Sequence, residues 1–209
     1  MSAVGKKKVD PPSGSPKDQL EPTRQRILIA ARKEFAAFGL AGARIDRIAR
    51  DASASKERLY AYYRKKEELF SAVLELNLIE FARAVEPGDS GLPEFAGTLY
   101  DHQAQHSEHL RMIDWARLEG QGMVAPSIEI VEAFHLSQTR RIEAMQRAGQ
   151  VDPAWHPEHL SALIFGIVTC WLHEPSSALA PHATPSAGAI ADRRASVVRA
   201  VQRLIEPRT

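Results

Sequence analysis

Apolar residues return along nearly the whole chain at intervals of three and four, the spacing of one face of an α-helix, with no sustained alternation of the kind a half-buried strand shows. From Thr23 to Phe38 the stripe is Ile27, Ala31, Phe35 and Phe38, all expected in a core, and Gly39 is placed to end the helix. Ile45, Ile48, Ala49 and Ala52 make the apolar face of a short second helix, which Ser53, Ala54 and Ser55 interrupt with a turn. A third short helix from Lys56 turns Leu59 and Tyr63 inward and leaves Lys56, Arg58, Ala61 and Tyr62 wholly or partly outside. A longer helix follows, with Leu69, Phe70, Val73, Leu74, Asn77, Phe81 and Val85 on one side.

Beyond the turn-forming residues 88–93 the pattern stays helical. Phe95, Leu99, His102 and His106 share a stripe, and Leu110, Ile113, Trp115, Ala116 and Leu118 a shorter one. A helix over about 127–148 is expected to bury Ile128, Val131, Phe134, His135, Gln138, Ile142 and Met145. Pro153 and Pro157 precede a helix that is apolar almost all round through LSALIFGIVTCWL, and a last helix runs over about 189–205 with Val197, Val198, Val201, Leu204 and Ile205 on one side. Surplus apolar surface on these last two helices suggests a self-complementary twofold interface through Leu163, Ile167, Trp171, Val197, Val201 and Leu204.

Two helices as short as those around 45–63 are not stable alone, and a basic, Tyr-bearing second helix is what a helix-turn-helix needs for phosphates and base edges. The run Ile48 to Leu69 reads Ile-Ala-x-x-Ala, a small turn, then Ser-x-x-x-Leu-Tyr-x-Tyr-aromatic-x-x-Lys-Glu-x-Leu. It resembles the DNA-binding domain of the TetR repressor family over roughly Thr23 to Val73; further on, only the helical layout is shared. Members commonly carry Gly then Val at the turn where this chain has Ser53 and Ala54, so Ser53 would take positive φ without glycine's freedom. They often open the second helix with Thr or Ser where this chain has Ala43 and Arg44. The resemblance implies a dimer built through the last two helices, a palindromic operator in double-stranded DNA, and a small-molecule effector held between helices of the body. Plausible lining residues are His102, His106, Trp115, Phe134, Met145 and Trp171.

Charge sharpens this reading. Residues 1–70 hold 16 Lys and Arg against 9 Asp and Glu, a net +7, while residues 71–209 hold 11 against 17, a net −6. A basic head on an acidic body is what a polyanion-binding protein shows. The DNA contacts are therefore expected from Arg44, Ser55, Lys56, Arg58, Tyr60, Tyr62 and Lys66. Ser55 would cap the recognition helix, Arg58 would read guanine, and Lys66 would reach a phosphate from a helix N-terminus. The first 21 residues, with Lys6, Lys7 and Lys8, read as a disordered basic tail.

The organisation expected is all-α: the tail over 1–21, a three-helix helix-turn-helix unit over 22–70, and a helical ligand-binding and dimerisation bundle over 71–209, reached through the long helix. The single cysteine, Cys170, sits in an apolar run and is expected as a packed core thiol. With no membrane-length apolar run and a polar N-terminus, the protein is expected in the cytoplasm, with no membrane partner. His102, His106 and His109 share a helical face, but without a Cys cluster or HExxH pattern no metal and no cofactor is assigned. No Gly-x-Ser-x-Gly elbow, Walker loop or Rossmann fingerprint is present, so an enzyme is not expected. The competing reading is a helical protein-interaction module that has lost DNA binding; it has no need of a +7 head.

Overall fold

A computed structural model describes residues 22–85, 90–120, 128–172 and 185–207. The basic tail, most of the turn-forming loop after the long helix, the loop over 121–127 and most of the segment before the last helix lie outside the described residues. Among the described residues there are nine α-helices and no strand. They are α1 (Pro22–Gly42), α2 (Ile45–Asp51), α3 (Lys56–Tyr62), α4 (Lys66–Ala84), α5 (Leu92–Gln105), α6 (Ser107–Glu119), α7 (Ile128–Arg147), α8 (Pro157–Thr169) and α9 (Ala187–Ile205). A 3-10 turn, Cys170–Leu172, continues α8. None of these helices is long and apolar enough to cross a membrane.

The apolar stripes meet in two cores. The first gathers Ile27, Ala31 and Phe35 of α1, Ile48 of α2, Leu59 of α3 and Leu69, Phe70, Val73 and Leu74 of α4, and it is completed by Met112 and Ala116 of α6. Phe35 and Phe70 meet edge to face at 5.1 Å, joining the first helix to the long one. The second core combines Phe95 and Leu99 of α5, Ile142 of α7, Leu160, Ile164 and Val168 of α8, and Val197, Val201 and Ile205 of α9.

Gly39 breaks α1 where its position in the sequence suggests, with φ 65. A side chain there would also collide with the Trp115 ring, whose Cε3 lies 2.7 Å from the place a Cβ would occupy. Trp115 further donates its indole N–H to Ala36 O at 3.3 Å, so α6 is fastened to the end of α1. In the body, Gly97 lets α9 approach α5: a Cβ would stand 2.9 Å from Arg194 Nη2. Arg194 in turn reaches Asp101 at 2.8 Å and Glu94 at 2.9 Å on α5. The end of α9 is sealed by Asp152 N donating to Ile205 O and the Trp155 indole donating to Leu204 O.

Four placements differ from the sequence reading. Phe38 is 48% exposed rather than buried, and the Arg47 guanidinium covers its ring at 4.2 Å. Val197 and Val201 are 0% exposed and face the chain's own core, so neither can touch a second copy. Cys170 is exposed, since it lies on the side of the α8 line that the body does not cover. His135 is exposed too, one position round the helix from half-buried Phe134.

Candidate nucleic-acid interface

The turn between α2 and α3 begins from the end of α2, where the chain must satisfy carbonyls that have run out of helical partners. Ser53 N donates to Arg50 O at 3.0 Å and Ala54 N to Ala49 O at 2.9 Å, the paired bonds of a Schellman motif. Its left-handed position belongs to Ser53, at φ 50, as the missing glycine requires. The same pair of bonds ends α7, from Gly149 N to Gln146 O and Gln150 N to Met145 O, and there a glycine takes the position at φ 70.

Ser55 then caps α3, its hydroxyl accepting from Arg58 N at 3.1 Å. Leu59 is buried and so is Tyr63, the residue just past the helix, whose hydroxyl accepts from Arg24 Nε at 3.0 Å. With that side fixed, Lys56, Glu57, Arg58, Tyr60 and Ala61 face solvent, and Tyr60 is 47% exposed. Tyr62 is half-buried with the Arg58 guanidinium 5.4 Å above its ring. Lys56 Nζ pairs with Asp46 Oδ1 of α2 at 2.6 Å, and that carboxylate raises the affinity of the ammonium for its proton. The Glu57 carboxylate is held below its usual range by its own backbone N–H and by the Ser55 hydroxyl.

At the start of α2 the expected capping hydroxyl is missing, and Arg44 makes no side-chain cap. The replacement comes from α1. Glu34, buried among apolar neighbours, accepts from Arg44 N at 2.8 Å and from Arg47 Nε at 2.7 Å. Its carboxylate thus does for α2 what the acidic member of a capping box does within one helix. Sequence reasoning missed this residue, although a carboxylate beside Phe35 on the stripe of Ile27 and Ala31 was the signal for it. Arg44 itself is exposed beside the turn.

Lys66 has two partners inside the chain. Its ammonium donates to Ala43 O at 3.1 Å and Ala41 O at 3.3 Å, tying the first turn of α4 to the segment that leaves α1. Arg64 and Lys65, just before it, are exposed. The seven expected DNA-contacting residues therefore separate. Arg44, Lys56, Arg58 and Tyr60 are exposed at the surface, Ser55 caps and Tyr62 supports, and Lys66 is tied into the framework.

The six residues expected around an effector are dispersed. Trp115 belongs to the seam with α1, Met145 and Trp171 pack against the second core, and His102 and His106 stand together beside α6. Only Phe134 of the six lines the cleft between α5, α7 and α8, with Phe95, Leu99, Gln138, Ile142 and Ile164. That cleft holds about 20 Å³, room for one water molecule. Gln138 is buried beside it with an amide nitrogen that finds no partner among the described residues.

Comparison with known proteins bears on both halves of the chain. Residues 27–73 match the family described as bacterial regulatory proteins, tetR family, and residues 91–203 match the tetracyclin repressor-like C-terminal domain. The HTH-type transcriptional repressor SCO4008 of Streptomyces coelicolor is 44% identical over 99 residues, 47% of this chain and 52% of that protein. The HTH-type transcriptional repressor NicS of Pseudomonas putida is 28% identical over 139 residues, 63% of this chain and 65% of its own length. The match thus spans about half of the first relative and under two thirds of the second. The crystal structure of the S. coelicolor protein SCO4942 superposes with a TM-score of 0.75 at 40% identity, covering 88% of this chain and 98% of that one.

Proposed function

The chain belongs to the TetR family of bacterial regulatory proteins, and from that membership we propose that it is a ligand-responsive, sequence-specific DNA-binding transcriptional repressor. One observation carries the reading: α3 is capped by Ser55 and anchored through Leu59, so Lys56, Arg58 and Tyr60 are all left exposed around the part of the helix that the head does not cover. N-terminal residues of such a helix enter the major groove. Arg58 is the reader of guanine; Lys56, Tyr60 and Arg44 contact the backbone, while Tyr62 supports the Arg58 side chain from below. A good bidentate contact discriminates by about 1–3 kcal/mol.

The protein acts as a cytoplasmic homodimer on a palindromic operator, with the tail over 1–21, the DNA-binding unit over 22–70 and the effector-binding and dimerisation bundle over 71–209. Leu163, 44% exposed, continues through Gly166, Ile167 and Cys170 as an apolar stripe along α8, and this stripe, with Trp171 and Leu204 at its margin, meets the second copy. The small-molecule effector enters the cleft between α5, α7 and α8 by parting those helices, with the Gln138 amide as its polar anchor. The family offers no catalytic role, and none is assigned to these residues.

Selection of binding sites from random DNA with wild type and Arg58→Ala tests the proposal. Wild type returns a palindrome and Arg58→Ala loses preference at one position per half-site. Uniform weakening with the preferred sequence unchanged would make Arg58 a phosphate contact. Affinity for the selected site falls steeply with salt, as counterion release demands; a salt-independent interaction would favour the protein-interaction module instead.

A further inference from the structure

Helix α5 stops at Gln105, and His106, at φ −129 and ψ 54, is the joint at which α6 begins. The bend gathers three imidazoles. The rings of His102 and His106 are 4.7 Å apart, those of His106 and His109 stack at 5.1 Å, and those of His102 and His109 lie at 5.5 Å. His106, Glu108 and His109 each bring a donor atom to within 4.8 Å of the others.

His109 is only 6% exposed, yet neither of its ring nitrogens has a hydrogen-bond partner among the described residues, and His102 Nε2 is in the same position. A neutral imidazole carries one N–H and one lone pair, and leaving both unanswered in a core is expensive. Leucine would fill the same space without that penalty.

Glu80 of α4 stands 3.5 Å from His109 Nε2 and is itself held by Arg32 Nη2 at 2.7 Å. A carboxylate behind one ring nitrogen is the outer partner that orients a ligating histidine toward a metal through the other. Since Arg32 and Glu80 neutralise each other, Glu108 supplies the negative charge that faces an incoming cation. Imidazoles with one carboxylate suit zinc, cobalt and nickel, whereas magnesium and calcium require oxygen donors throughout. Donors of a tetrahedral zinc ion lie about 3.3 Å apart, so the cluster must contract. His106, half-exposed at the helix break, is placed to make that movement.

We propose that His106, Glu108 and His109 bind one divalent transition cation of the zinc, cobalt and nickel class, with His102 closing its coordination. The site draws α5 and α6 together against α4, and it stands independently of the DNA-binding reading.

Tag-free, chelator-treated full-length protein titrated with cobalt and then zinc provides the test, followed by calorimetry and by the visible absorption of four-coordinate cobalt. One ion per chain is expected, with the cobalt band displaced by zinc. His106→Ala and Glu108→Gln, both at half-exposed positions, weaken uptake by about a hundredfold or more, since loss of outer partners alone costs 10–100-fold. The double variant His156→Ala, His159→Ala removes another close histidine pair, with ring centres 4.7 Å apart at the start of α8, and leaves uptake unchanged. Absence of stoichiometric uptake by wild type would overturn the proposal. So would uptake that persists in His106→Ala with its helical circular dichroism intact, or that vanishes with the His156 and His159 pair.

Discussion

In the α1–α4 head, the buried carboxylate of Glu34 receives Arg44 N and Arg47 Nε, and the Ser55 hydroxyl receives Arg58 N. In the body and where α1 and α4 of the head meet it, Arg32, Asn77, His102, Gln103, His109, Gln138 and Arg141 keep buried polar atoms that find no partner among the described residues. Groups answered inside the chain hold one geometry, and a surface that reads DNA needs its helix held that way. Groups left unanswered mark places where the chain is to be completed from outside, by an effector, an ion or ordered water.

The strongest blow to the head side of this contrast is Phe35→Ala. The ring is fully buried against Phe70, and its removal should cost about 3–5 kcal/mol. Urea unfolding measures the loss, and DNA binding disappears with it. A cost below 1 kcal/mol would mean that the head core is less tightly determined than its packing indicates.

A matched pair of substitutions tests the contrast itself. Glu34→Leu strands the Arg44 N–H and should destabilise by about 1–3 kcal/mol. Asn77→Leu replaces a buried amide with neither side-chain atom partnered, and should stabilise the free protein by about 1 kcal/mol. Thermal unfolding of both without ligand decides, and the contrast collapses if the two shifts share a sign.

Smaller still is Ser53→Gly. It relieves a non-glycine residue at φ 50 and should raise stability by about 0.5–1 kcal/mol, offset in part by glycine's unfolded-state freedom. Gly149→Ser makes the opposite change at the equivalent position after α7 and should lower stability by a similar amount. Equal responses at the two positions would show that the turn geometry sets no preference.

The smallest stability effect is expected from Leu163→Glu, within about 0.5 kcal/mol at an exposed position. Its signature is mass: sedimentation should show monomers with helix content unchanged. A dimer that survives Leu163→Glu places the interface on another face. Charge at Val201 would test something different, because that side chain lies inside the body and its loss would disrupt the fold.

The helices were legible because each carries its own apolar period; Ile27, Ala31 and Phe35, or Leu69, Phe70 and Val73, are buried where that period puts them. Less legible was which neighbour covers which stripe. On α9 the period identifies Val197 and Val201 as inward, but a pattern along one helix cannot say whether inward means α5 or a second copy. Phe38 keeps the period of Ile27, Ala31 and Phe35, but a period along one helix cannot show whether a neighbour covers the end of the stripe. Lys66 was read by its charge, whereas its partners, Ala41 O and Ala43 O, are carbonyls more than twenty residues earlier in the chain. Ser55 and the positive φ of Ser53 were readable because both depend on offsets of a few residues.

Because the core of the head is finished by Met112 and Ala116, and Trp115 rests on the bare backbone of Gly39, the boundary after residue 70 is no place to cut. A recombinant that joins residues 22–70 to a foreign body inherits a first helix shaped for an indole it no longer has. Such hybrids should lose solubility unless α6 travels with the graft. An exchange of heads between relatives would face the same restriction, and a glycine at the end of the first helix should then be inherited together with a large flat ring on the sixth.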